Sequence, residues 1–341
     1  MSHLSPAHRA AAGLHADPSL SRSFAATQAA WRFYGNAGVT LPQLAGPLME
    51  CARADVADAC DQRLLVPLDW SNLHYGAHHA KTNRIKLAHF QDLGYELLTA
   101  LAVSDRDGSP IAPLCLDLRA ADGVHSTRAD APLRSRSALD GLAPVIEHVH
   151  ALTASWGKPP VFIIDREADS VGHFRKWQRS NREYLVRADN QRRVRHEGQE
   201  RRLDAVATLL KRRQAFSETR SVEFQGKPAK QFIAETRVVL HRPARIHRVN
   251  KRTGKARHKN VAGEPLSLRL VVSEVRDERG NRLARWLLLT NLPASIPAAT
   301  VALWYYWRWG IEVNSRDEKS VLGVGEAQVH HERSVQAVPA A

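Results

Sequence analysis

The sequence predicts an α/β fold built on a mixed sheet, and three observations carry that expectation. Two short apolar runs, Arg63-Leu64-Leu65-Val66-Pro67-Leu68 and Val161-Phe162-Ile163-Ile164, have the length of buried strands, and each ends at an aspartate. Between them lie a hairpin pattern and an amphipathic helical stretch. From about 190 to 283 alternating strand patterns dominate. Strand, hairpin, helix, strand and helix in that order describe helices packed on a sheet rather than a bundle or a sandwich.

The elements follow in order. Residues 1–66 read as mostly helical. Ser23 to Tyr34 is Ala-rich, Gly35-Asn36-Ala37-Gly38 is a turn, and Thr40-Leu41-Pro42-Gln43 fits a capping box with proline in the first turn of a helix running to about Asp61. Helix, glycine turn and helix fit a DNA-binding helix-turn-helix and two packed structural helices equally well. Arg63 to Leu68 is then a strand ending at Asp69. Glu96 to Ser104 and Pro110 to Leu118 form a hairpin around the turn Asp105-Arg106-Asp107-Gly108. Ser137 to Trp156 has helical period, Val161 to Ile164 is a strand ending at Asp165, a helix starts near Ser170, and Glu183 to Arg187 is again a strand. Gln231 to Leu240 and Leu266 to Val275 are strands separated by basic loops, the richest being His241 to Lys259. Trp286 to Thr290 is a last strand, leading through Pro293 and Pro297 into a helix from about Thr300.

Composition narrows the function. With 341 residues, 43% hydrophobic and 25% charged, the chain has ample apolar surface to bury and is not a disordered protein. No run approaches a membrane span, and the start lacks an apolar leader region, so a cytoplasmic protein is expected. Cys51, Cys60 and Cys115 are scattered, which excludes a disulfide scaffold or a cysteine-rich zinc site. Lys and Arg number 49 against 35 Asp and Glu, a net charge of +14, and such a surface attracts polyanions. A location at the nucleoid follows if the polyanion is DNA.

Two aspartates at strand ends, Asp69 and Asp165, stand where open α/β sheets bind ligands, although aspartate also ends strands simply as a turn former. The helix expected over 304–320 adds to them. Tyr305, Arg308, Glu312 and Lys319 lie at offsets of 3, 7 and 14 residues. At ~100° per residue all four fall on one stripe, with Trp304, Trp307 and Ile311 on an adjacent core-facing one. Asp69, Asp165 and Glu312 are hard oxygen donors of the kind Mg²⁺ needs. Two such ions clamp the attacking and leaving oxygens of a phosphoryl transfer, and Arg308 and Lys319 would hold phosphate beside them.

Tyr305-Arg308-Glu312-Lys319 matches the Y-R-E-K signature of bacterial DDE transposases of the insertion-sequence 4 family. Asp165-Arg166-Glu167-Ala168-Asp169 resembles that family's second acidic motif, and Asp69-Trp70-Ser71 resembles the first, with Trp70 where the family often has a hydroxyl residue. The resemblance spans roughly residues 20 to 325. It implies a ribonuclease-H-like mixed sheet with helices on both faces over 67–320, a β-rich insertion at about 190–283, and a helical DNA-binding domain at 1–66. It implies Asp69, Asp165 and Glu312 as catalytic and metal-binding residues for Mg²⁺ or Mn²⁺, two ions in all. Tyr305, Arg308 and Lys319, with Arg187 and Trp286, are its expected DNA contacts. Trp286 fits a core position on a buried strand equally well. Double-stranded DNA is the expected partner, as transposon terminal inverted repeats and target, bound by a homodimer, with no membrane role. Family members continue beyond Lys319 with further helices, so 321–341 reads as a short, truncated tail. The chain is thus expected to be a transposase, with a binding-only derivative or a stand-alone nuclease as alternatives.

Overall fold

The structure is a computed structural model that describes residues 35–87, 92–131, 138–249 and 256–308, with isolated positions outside them. It is an α/β fold with a large mixed sheet and, among the described residues, five helices. None of these helices is long and apolar enough to cross a membrane. The described residues fall into two compact units, with the boundary at Pro159/Pro160 and Pro160–Arg308 forming the second.

Helix α1 (Leu41–Ala59) of the first unit starts as its sequence requires. The Thr40 hydroxyl accepts the Gln43 N–H at 3.4 Å, and Gln43 Oε1 accepts the Thr40 N–H at 2.9 Å. Of the helical module expected over 1–66, α1 is the long described helix, but Ala10–Ala11 and Gly13–Leu14 form a short antiparallel pair and Leu64–Val66 already belong to a strand, so the stretch is not helical throughout. Helix α1 buries Ala52 and Val56 and packs on the sheet of this unit. The chain leaving it is fastened by the Asp105 carboxylate, which accepts the N–H groups of Asp61, Gln62 and Arg63 at 2.6–2.9 Å.

That sheet contains β1 (Leu64–His74), β2 (Ile85–Lys86), β3 (Leu93–Ser104), β4 (Pro110–Arg119) and β5 (Val124–Ser126), all antiparallel. Its order is β1-β3-β4-β5, with β2 on β3. One expectation is corrected here. The first strand does not end at Asp69: it continues to His74, and Asp69 lies mid-strand opposite Thr99. The pairing persists to His74 opposite Gly94, where a Cβ would stand 1.9 Å from Leu73 O, so glycine alone allows the close approach. Leu73, Tyr75, Tyr95, Leu97, Leu116, Leu118 and Ala120 form a core cluster at that end. Helix α2 (Ala138–Thr153) follows and packs on β3 and β4.

The second unit begins with a crossover. Strand β6 (Pro160–Ile164) leads through a 3-10 turn (Arg166–Ala168) and helix α3 (Val171–Arg179) to β7 (Glu183–Arg187). The two strands are parallel, Ile164 beside Val186, so both end at the same edge. Phe174 and Trp177 of α3 pack their rings on Tyr184 at 5.4 and 5.5 Å, which seats the helix on β7. Then come β8 (Arg193–His196), β9 (Gln199–Arg202), helix α4 (Leu203–Arg212), β10 (Ser217–Phe224) and β11 (Lys227–Leu240). A separate pair, β12 (Ala244–Val249) and β13 (Ala256–Val261), precedes β14 (Leu266–Arg276), β15 (Arg282–Thr290) and helix α5 (Ala298–Trp307). The order is β9-β8-β11-β14-β15-β7-β6, with β10 on β11. Gln225-Gly226, both at positive φ, make the tight turn that joins β10 to β11.

The β-rich texture expected over 190–283 is present, with two differences. Leu203, Val206, Ala207 and Leu210 are buried at helical spacing, which makes α4 a helix inside that stretch. The basic segment 241–259, expected as a loop, is in large part the antiparallel pair β12–β13.

Candidate active site

Asp165 stands at the carboxyl edge of the β6–α3–β7 crossover, as expected from Val161-Phe162-Ile163-Ile164-Asp165. Its Oδ1 caps the 3-10 turn by accepting the Arg166 N–H at 2.6 Å. Three further groups from two other elements converge on the same carboxylate. From the end of β7, Arg187 Nη1 lies 3.5 Å from Oδ1. From α5, the Tyr305 hydroxyl donates to Oδ1 at 3.3 Å, and from the first residue past that helix Arg308 Nη2 lies 3.6 Å from Oδ2. The side chain of Asp165 keeps 31% exposure, whereas that of Arg308 keeps 9%. Both guanidinium distances exceed those of a tight charge-assisted bond. The carboxylate is therefore steered but not saturated, and it keeps lone pairs for a further ligand.

The fold explains the convergence. Arg187 comes to Asp165 because β6 and β7 are parallel and in register. Tyr305 and Arg308 come because the segment entering α5 is pinned. The buried Arg269 of β14 binds Glu235 of β11 at 2.8 Å and donates to Pro293 O at 2.6 Å and Ile296 O at 3.0 Å. Along α5 the exposed Tyr306 ring lies under the Arg220 guanidinium at 4.8 Å. Trp286 is half-buried on β15 opposite Ser273. Leu288 of the same strand faces Arg187, so Trp286 occupies the next position on the face that Arg187 shares.

The sequence missed one contributor, the second aspartate of Asp165-Arg166-Glu167-Ala168-Asp169. The Asp169 side chain is 3% exposed. It accepts the Asp189 N–H at 2.8 Å and Arg192 Nε at 3.0 Å, tying the turn after Asp165 to the loop after Arg187. Burial raises its pKa, and Arg192 opposes that rise. An aspartate four residues after a strand-end aspartate was the available signal.

Tyr305 is buried rather than on an outward stripe, because every turn of α5 carries apolar residues and the helix has no polar side. Its phenol is pushed up to about 12, chiefly by burial and then by the Asp165 charge, with Arg308 and Arg187 opposing. It remains a hydrogen-bond donor at any physiological pH. The folded pKa lies above the unfolded value near 10, so the fold favours the protonated form. That contribution is complete below about pH 10 and is lost as pH rises towards about 12. Alkaline titration of phenolate absorbance should show a late transition, shared with the buried Tyr75 and Tyr184, whose amplitude Tyr305→Phe lowers by one tyrosine. The same variant should flatten the fall of stability between pH 10 and 12. A tyrosine titrating near 10 in its place would contradict this geometry.

The remaining predicted residues are not part of this described cluster. Asp69 belongs to the first unit. Glu312 and Lys319, the second half of the expected stripe, lie outside the described residues, as do most of Ser23–Tyr34 and the tail 321–341. Among the described residues no three His, Cys, Asp or Glu side chains cluster as a metal site. Asp165 alone fits one ligand of such a site, a part-exposed hard oxygen donor at a strand edge. No protein-family model matches the chain. No curated protein matches it.

Proposed function

We propose that the chain is a DNA transposase whose catalytic core is a ribonuclease-H-like sheet. The observation that carries this reading is the gathering of Arg187, Tyr305 and Arg308 on Asp165, from the end of β7 and from α5 and the residue that follows it. A carboxylate needed only as a turn cap does not require two guanidinium groups and a phenol. A carboxylate working beside phosphate does, because the cations hold the polyanion while the acid keeps an oxygen for a metal ligand.

In this reading Asp69, Asp165 and Glu312 would hold two Mg²⁺ or Mn²⁺ ions. Ions bound there would supply activation of the attacking oxygen and stabilisation of charge on the leaving one. The protein groups do the rest. Arg308 and Arg187 orient the scissile phosphate, with Lys319 as a further point charge, and Tyr305 keeps the Asp165 carboxylate in its rotamer. Trp286 offers an aromatic face for a base unstacked at the element's end. In the first step a water oxygen bonds to phosphorus, the P–O3′ bond breaks, and the freed 3′-oxygen takes up a proton. In the second, that 3′-hydroxyl bonds to a target phosphorus and loses its proton, and the target's own P–O3′ bond breaks. The first step hydrolyses one phosphodiester bond and the second exchanges one for another, so neither requires an external energy source. The partner is double-stranded DNA, as terminal inverted repeats and target, and two copies of the chain pair the ends.

The test is incubation with duplexes carrying the inverted repeats that flank the coding sequence. Mg²⁺-dependent cutting at the repeat terminus by the wild type, and not by Glu312→Gln, supports the reading. Cutting without preference for the repeat indicates a nuclease, and tight binding without cutting indicates a binding-only derivative.

A further inference from the structure

Thr99 interrupts an apolar run in the middle of β3. Leu97, Leu98, Ala100 and Leu101 around it are all buried, and Thr99 itself is 1% exposed. Its hydroxyl oxygen is buried without a hydrogen-bond partner among the described residues. Such a group has given up water and gained nothing in exchange, which costs stability. A valine there would keep the shape and bury no polar atom. Packing alone therefore gives no reason for threonine at this position.

The strand register shows what the hydroxyl faces. Strand β3 runs between β1 and β4, so Thr99 has two directly opposed neighbours, Asp69 on β1 and Leu116 on β4. Directly opposed residues point to the same face of an antiparallel sheet, with Cβ atoms about 4.5–5.5 Å apart. Leu116 has no acceptor in its side chain. Asp69 has a carboxylate and is half-buried. Ser71, the next residue on that face of β1, stands diagonally at about 7–8 Å, too far for two short side chains. The backbone of Thr99 is held by strands on both sides, and a β-branched side chain has few χ1 choices. Its hydroxyl is thus placed with little freedom beside one acidic group.

We propose that Thr99 is a positioning residue for Asp69, its hydroxyl donating to one oxygen of the carboxylate and leaving the other for a divalent cation. A carboxylate that holds an ion does so best when a hydrogen bond fixes its orientation, and losing such an outer partner typically costs 10–100-fold in metal affinity or activity. The orphaned hydroxyl then has a use, which is to steer the acid. The inference deepens the transposase reading and rests on it for Asp69 being a metal ligand.

Mn²⁺ binding by the DNA-free full chain, read from loss of the free-ion electron paramagnetic resonance signal, tests this without a cutting step. Thr99→Val keeps the shape and removes the hydroxyl, whereas Thr99→Ser keeps the hydroxyl. The Val variant should raise the Mn²⁺ dissociation constant by about 10-fold or more, and the Mg²⁺ concentration for half-maximal cutting by a similar factor. The Ser variant should restore both to within about threefold of the wild type. Without metal, the Val variant should melt at or above the wild-type temperature, because an unpaired buried hydroxyl has been removed. Unchanged Mn²⁺ affinity in the Val variant overturns the proposal. Equal weakening in the Ser variant also overturns it, since packing would then be the cause. A metal-free Val variant that melts below the wild type makes the hydroxyl structural and overturns it too. An Asp69→Asn variant that binds Mn²⁺ as tightly as the wild type overturns both this inference and the assigned role of Asp69. Thr99-dependent metal binding in a chain that cuts no DNA overturns the transposase reading alone.

Discussion

Replacing Glu312 by Gln should lower Mg²⁺-dependent DNA cutting by at least about a thousandfold while leaving DNA affinity within about threefold. The two expectations have different physical sources. Metal ions contribute several kcal/mol of transition-state charge stabilisation, and about 4 kcal/mol corresponds to a thousandfold in rate. A neutral amide has the shape of the carboxylate but not the charge that holds a divalent ion. Affinity, in contrast, comes mainly from cations on phosphates, and this substitution removes none. Cutting rates and anisotropy titrations on the same preparation measure both. Equal cutting by variant and wild type would remove Glu312 from the site.

Asp165→Asn should be as damaging to cutting, at least about a thousandfold, whereas Tyr305→Phe should cost less than about tenfold. The geometry sets this ranking. Asp165 is the meeting point of Arg187, Arg308 and Tyr305, and it is the described group with an oxygen to spare for a metal. The Tyr305 bond to it is 3.3 Å long, at the weak end for an O–H donor. Asn keeps the oxygen that caps Arg166 N–H, and the part-exposed Arg187 pair contributes on the order of 1 kcal/mol or less, so the variant should still fold. A circular-dichroism melt beside the kinetics separates the two effects. A Tyr305→Phe variant as inactive as Asp165→Asn would move the chemistry from the carboxylate to the phenol.

Local rules were legible in the sequence where they were strong. Thr40 and Gln43 form the capping box that their spacing predicts, and Glu183–Arg187 is the strand that its residues predict. Val161 to Ile164 followed by Asp165 gave both the strand and its edge position, because a fully apolar run has one way to be buried. Asp69 was misplaced for the opposite reason. Asp69-Trp70-Ser71-Asn72 breaks the apolar pattern, yet cross-strand pairing through Thr99 and Leu98 carries the strand onward, and that partner is distant in sequence. The β12–β13 ribbon was hidden because cations mask alternation, and α4 because it interrupts a β texture. Tyr305 was assigned to an outward stripe by period alone. Period says which residues share a side of a helix, but not which side is covered when the whole helix is apolar. The Asp169 clamp depends on Arg192, twenty-three residues on, and no local pattern announces it.

In the proposed function three acids far apart in the chain would grip shared metal ions beside DNA. Fe²⁺ in place of Mg²⁺, with ascorbate and peroxide, generates radicals that cut the polypeptide next to the residues that bind the ion. Mass spectrometry of the fragments is then the most direct test. Cuts are expected near Asp69, Asp165 and Glu312 in the same preparation, all suppressed by excess Mg²⁺ and all lost in Asp165→Asn. Cuts confined to one of those segments, or cuts that Mg²⁺ does not suppress, would contradict it.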